Sequence, residues 1–311
     1  MNILHRTHFS TSPLLLSAWT GAGNAGILAI DYFRRKLNAH LFAQIDMSKF
    51  VVPESIVVDS GVAHFPETPQ SVFYHMHNPD LIIFESNAHA GGNHDIEVMN
   101  TILELAQELK ASCVYTAAAI PQSISHSTDP NVLYACNNPG LKNDLERMDL
   151  IAMPDGVISG LNGLMLGFAG IRGIDAICLL ATIPAYAAGL TYPRAALAIV
   201  KKLSLITGTK PDFTELEIDV EKTDPMFAEI EDKLKEFFSS GLFDSETMFS
   251  GTESDIFPED KDVPKYVMDR IESMFKAAKN DRSKAQELKE ELDKWGLYEL
   301  YENRFLDLFE K

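Results

Sequence analysis

Three glycines at Gly21, Gly23 and Gly26 form a G-x-G-x-x-G, and Asn24 stands between the last two. An apolar run, Leu14–Leu16, precedes them and an apolar-periodic segment from Ile27 follows. That order reads as strand, glycine turn, helix. Gly21 and Gly23 are expected to allow backbone angles closed to other residues, and Gly26 to let the helix lie close on the sheet. Free amides at such a turn could cradle an anion, with Asn24 as the side chain best placed to reach it. Asp46, at the end of the next predicted strand, could take a ribose hydroxyl.

The polar stretch Glu85–Asp95 supplies a second set. Glu85, Asn87, His89 and His94 follow the apolar run Leu81–Phe84, and His126 could join them from a later loop. Ligands in open α/β sheets sit at the carboxyl ends of strands, so these residues and the glycine turn would face one crevice. Histidines and a carboxylate there could bind a metal or move protons, but their spacing matches no metal motif. His75 and His77 alternate and therefore share a strand face, with no third ligand evident. A G-x-S-x-G elbow is absent, so serine hydrolysis lacks its usual sign. Tyr186, Tyr192 and Arg194 are residue types suited to a partner or a small ligand. No catalytic residue, metal or cofactor is assigned.

The elements that must hold these residues alternate. Strands are expected at 14–16, 40–46, 56–58, 71–77, 81–84, 112–120 and 174–183. Helices are expected from Ile27 to Leu37, Ile96 to Leu109, Leu161 to Phe168 and Pro193 to Thr207. The first strand, helix and second strand form a βαβ unit, implying a parallel pair. Pro121–Gly140 reads as a long polar loop. Alternation of this kind predicts an α/β layer fold: a mostly parallel twisted sheet flanked by helices.

The chain changes character near residue 210. Of the net charge of −18, −13 lies from Lys210 onward, where 15 Lys and Arg face 28 Asp and Glu. Helices are expected there at Pro225–Phe238, Pro264–Lys279, Ser283–Trp295 and Leu297–Phe309, around an acidic stretch at 239–262. The predicted organisation is therefore an α/β core over 1–209 and an acidic helical region over 210–311. This charge repels phosphate backbones, which argues against nucleic-acid binding. The most apolar region, Gly156–Leu190, is interrupted by Asn162, Arg172, Asp175 and Pro184, so no membrane span is expected. Cys113, Cys136 and Cys178 form no C-x-x-C pair and suit a reducing cytoplasm. The first residues lack a signal-peptide core.

The glycine stretch Thr20–Gly26 (TGAGNAG), together with Pro184, Tyr186, Gly189 and the run Tyr192–Ala196 (YPRAA), resembles the proteasome assembly chaperone 2 family. The resemblance covers most of residues 12–207. It implies a phosphorylase/hydrolase-like α/β core, self-association and no established catalytic activity. It further implies chaperone work on the proteasome α-ring among eukaryotic members, some relatives docking through a C-terminal hydrophobic–Tyr–any tripeptide. This chain ends Phe309-Glu310-Lys311, without that tyrosine, which argues against docking by such a tail and against the proteasome as the partner. The sequence thus predicts a non-enzymatic, self-associating cytoplasmic protein that binds or assembles a protein partner. The alternative is a nucleotide or small-molecule binder, or a hydrolase-like enzyme, using the glycine-turn crevice.

Overall fold

The computed structural model describes residues 1–51, 56–64, 69–239, 271, 274, 275, 278, 284–294 and 305. The chain forms two compact units, Met1–Gly251 and Thr252–Lys311. The change in composition at Lys210 falls inside the first unit, in the link between two of its helices.

The first unit is built on a nine-stranded sheet. In chain order its strands are β1 (Asn2–Ile3), β2 (Leu14–Trp19), β3 (His40–Ile45), β6 (Ser71–Met76), β7 (Leu81–Ser86), β8 (Cys113–Gln122), β9 (Val132–Cys136), β10 (Ile151–Ala152) and β11 (Ala176–Pro184). Between β3 and β6 a separate hairpin pairs β4 (Val57–Asp59) with β5 (Val62–His64). The strand order is β1-β3-β6-β7-β2-β8-β11-β9-β10. The central strands β7, β2, β8 and β11 run parallel. β6 and β9 flank them antiparallel.

The helices are α1 (Ala25–Lys36), α2 (Asn93–Glu108), α3 (Lys142–Arg147), α4 (Leu161–Ile171), α5 (Pro193–Thr207) and α6 (Thr214–Ser239). Alternation along each strand sorts the core into two layers. Leu16, Ala18, Ile83, Tyr115 and Leu179 point to the layer under α1, α5 and α6. Leu15, Trp19, Phe84, Val114 and Cys178 point to the layer under α2 and α4. Every residue of β11 is buried, as a strand covered on both faces requires.

Three expectations are corrected here. β2 and β3 run in the same direction but are not neighbours, because β6 and β7 lie between them. The segment 121–140 contains strand β9, whose apolar Val132–Cys136 pairs antiparallel with β11. The helix expected to open at Pro225 begins at Thr214, where the Asp212 carboxylate accepts from the Thr214 amide at 3.1 Å. Pro225 therefore sits inside α6 and leaves one helical carbonyl without its donor. The buried Leu216 and Phe227 hold that helix on the core.

In the second unit, α7 (Ala285–Lys294) contributes Ala285, Leu288 and Leu292 to an apolar cluster with Ile271, Phe275, Ala278 and Phe305. Apart from those single positions, the helices expected at 264–279 and 297–309 lie outside the described residues, as do Trp295 and the chain's last residues.

Candidate functional site

Gly21 departs from expectation. Its φ of −179° is ordinary extended backbone, and a Cβ there would meet nothing within 4 Å. Gly23 does need its type. Its φ is +62°, and a Cβ would lie 3.1 Å from Ile183 Cδ1 and 3.3 Å from Tyr192 Cβ. Asn24 also adopts the left-handed region, with φ 48°, and its Nδ2 donates to Thr191 Oγ1 at 3.3 Å. Gly26 lies so close to β8 that a Cβ would stand 1.9 Å from the Ala117 carbonyl oxygen.

The amides of this turn are already engaged. Gly23 N–H donates to the Ala188 carbonyl at 2.8 Å, and the Asn24 amide to Gly21 at 2.9 Å. The Ala25 amide donates to Ala22. In return the Tyr192 amide donates to the Gly23 carbonyl at 2.8 Å. The loop after β11 thus takes the Gly23 amide and returns an amide of its own to the turn. Asp46 does not serve the turn either. Its carboxylate accepts from Ser48 N at 3.1 Å and Ser48 Oγ at 2.6 Å, just past β3, which two strands separate from β2.

The polar residues at the strand ends are bonded to neighbouring segments of the chain. β2 pairs with β8 only from Leu14 to Ser17. Beyond that point Asn162, from the first turn of α4, takes the free Trp19 amide on its Oδ1 at 3.2 Å, and its own carbonyl accepts from Thr116 Oγ1 at 2.7 Å. His89 Nε2 lies 3.0 Å from Thr20 Oγ1, joining the loop after β7 to the end of β2. Asn87 Oδ1 accepts from the Gln70 amide at 2.7 Å. Glu85 turns under α1, where the Arg34 Nε donates to it at 2.8 Å. Burial pushes the Glu85 carboxyl up to about 7 against the opposing pull of Arg34.

His126, Tyr186, Tyr192 and Arg194 meet around α6. His126 Nδ1 lies 2.5 Å from Glu231 Oε2, which also accepts from Ser125 Oγ at 2.8 Å, the His126 amide at 3.1 Å and Tyr186 OH at 3.1 Å. Lys235 pairs with the other oxygen at 3.1 Å. Burial alone would raise the Glu231 carboxyl. The donors around it, His126 first, instead hold it well below the usual carboxylate range. Tyr192 OH donates to the His126 carbonyl at 3.0 Å, and its ring meets Phe227 edge-on at 4.9 Å. Arg194 bonds to Asp224 and pairs with Asp129 at 3.5 Å. Sequence reasoning missed Glu231 and Asp224, two carboxylates in a helix full of them. Glu231 and Asp224 of α6 thus take bonds from Ser125, His126, Tyr186 and Arg194, which fasten that helix. Because Ser125 bonds to Glu231 and not to the imidazole, the group lacks the relay of a nucleophilic site.

His75 and His77 do share a face, with ring centroids 5.2 Å apart, beside His40 and Phe9. Among the described residues no three His, Cys, Asp or Glu side chains are grouped to hold a metal ion. No helix among them is long and apolar enough to cross a membrane.

The central strands, most of the two helical layers and the clasp between the glycine turn and the 188–192 loop lie within residues 15–231, which match the PAC2 family model. The chain belongs to the PAC2 family. A relative from Methanocaldococcus jannaschii, described as uncharacterized protein MJ1210, is 28% identical over 212 residues, covering 66% of this chain and 78% of its own. The fold is shared with Pyrococcus furiosus PbaB, described as an archaeal proteasome activator, at a TM-score of 0.63 and 22% identity over 74% of this chain and 97% of that one. It is shared too with P. furiosus PbaA, described as an archaeal homolog of proteasome-assembly chaperone, at 0.60 and 20% over 80% and 98%. Mycobacterium tuberculosis Rv2125, described as a proteasome-assembly chaperone homologue, gives 0.58 and 16% over 70% and 94%. In this PAC2 protein the two stretches that carried the resemblance, Thr20–Gly26 and Pro184–Ala196, are bonded to each other.

Proposed function

We propose that this PAC2 protein is a non-enzymatic, self-associating protein of the chaperone type, binding or assembling a protein partner in the cytoplasm. The observation that carries the reading is the bond between Gly23 and the Ala188–Tyr192 loop. An α/β enzyme keeps its glycine turn and strand ends open for a ligand. Here the turn is clasped by the chain itself, and at the strand ends Asn162 takes the Trp19 amide while His89 lies against Thr20. What this scaffold leaves to a partner is surface. The names given to PbaB, PbaA and Rv2125 point the same way, toward work on proteasomes. The free thiols Cys113, Cys136 and Cys178 suit a reducing compartment.

The test joins two measurements on the full chain. Its mass in solution is expected to exceed that of a monomer. Mixed with purified proteasome α-subunits, it is expected to shift their assembly state or co-migrate with them. A strict monomer that leaves the α-subunits unchanged would overturn the reading.

A further inference from the structure

We propose that two copies of this chain meet through the outer face of α4. The inference rests on the self-association reading above and names its surface. Leu161, Met165 and Ala169 turn inward to the sheet. Leu164, Gly167 and Ile171 recur at steps of three and four, so they form one outward stripe. Leu164 is 49% exposed and Ile171 82%, and Val157 just before the helix is 72% exposed. Phe168 lies half-buried beside them.

Gly167 is the telling residue. A glycine inside a helix costs about 1 kcal/mol relative to alanine. Other glycines of this chain have a reason inside the fold: a Cβ on Gly26 would strike Ala117, and one on Gly163 would lie 2.4 Å from Ile158 Cγ2. A Cβ on Gly167 would meet nothing within 4 Å. Nothing inside the chain opposes a side chain there, and the bare backbone leaves room for a second backbone to cross closely.

Charge selects the occupant. A two-fold contact sets each residue near its own copy, so most of a surface carrying −18 would face itself with like charges. Gly156–Ile171 contains no ionisable side chain, so it faces its own copy without that penalty. A basic partner would instead be drawn to the acidic surface of α6. A bilayer does not fit, because the 11 residues of α4 span only about 16 Å against a hydrocarbon core of about 30 Å. No basic residue lies within α4, and Arg172 just beyond pairs with Glu104 at 3.9 Å. One such helix is smaller than the ~800 Å² per partner of a standard interface, so the pair is expected to dissociate on dilution.

Sedimentation velocity of the full chain over a wide concentration range tests this. Gly167→Leu and Leu164→Asp are each expected to weaken association at least tenfold while leaving the thermal midpoint in place. A merely structural role for Gly167 would leave association untouched, since leucine is the better helix former. Wild-type chain that stays monomeric throughout overturns self-association and this surface together. Association that both variants leave intact overturns the surface alone. Loss of association in Val58→Asp, on the β4–β5 hairpin, with both α4 variants unaffected would move the contact to that hairpin.

Discussion

A Cβ on Gly26 would lie 1.9 Å from the carbonyl oxygen of Ala117. Neither atom can give way: one belongs to the start of α1 and the other to a central strand. Gly26→Ala is therefore expected to cost about 3 kcal/mol or more, read by denaturant unfolding. Gly21→Ala, just before the clasped Gly23 yet extended and uncrowded, should stay within about 0.5 kcal/mol. Equal losses at the two positions would show that the turn has been misjudged.

Glu231→Ala should loosen α6. It leaves Ser125, His126 and Tyr186 without their shared acceptor, a loss of about 2 kcal/mol. Limited proteolysis is expected to cut sooner in the link between α5 and α6. Because the folded carboxyl titrates below its ordinary value, its contribution is full above the ordinary 4.5 and disappears as pH falls through the folded value. The variant and wild type should accordingly converge in stability at strongly acid pH.

Glu85 has the opposite sign. Its folded pKa of about 7 exceeds the ordinary 4.5, so the folded state holds a proton that the unfolded chain has released. Stability from this group is full below 4.5 and declines as pH rises through about 7. Across that window the decline amounts to about 3 kcal/mol. Glu85→Gln should remove the slope, a change visible in the difference between the two unfolding curves from acid to mildly alkaline pH. An unchanged slope would show that the Arg34 pair offsets the cost of burial.

A thermal-shift panel of nucleotides, nucleosides and divalent metals should produce no stabilisation. A ligand held at a hundred times its dissociation constant would add about 2.7 kcal/mol. A shift of that size, abolished by Asn24→Ala, would reopen the glycine turn as a binding site.

Much of the architecture was legible because its signals were local. Leu81–Phe84 and Ile174–Ile183 are apolar runs bounded by turns, and Pro193 opens α5 as its fixed φ suggests. Strand β9 was hidden by the polar residues around Val132–Cys136. Pro225 misled because proline at a first turn is commoner than proline within a helix. The site was harder to read for a different reason. Gly23 and Tyr192 were each noticed, as a cradle and as a contact residue, yet only the fold reveals that they bond to one another. Glu231 is one of many carboxylates in α6, and nothing local distinguishes the one that faces Ser125, His126 and Tyr186. Spacing can mark a glycine as special; it does not tell whether a phosphate or the chain's own loop has claimed it.

The clasp also bears on how the protein is made. Asn24 and Thr191, joined across it, stand 167 positions apart. During synthesis the opening of α1 must wait, unfinished, until the strand and loop that complete it have left the ribosome. A nascent chain halted before Ala188 could lay α1 on β8 through Gly26 and Ala117, yet the helix's opening turn would lack the bonds that Ala188 and Tyr192 supply, so the last step of its closure is of long sequence range.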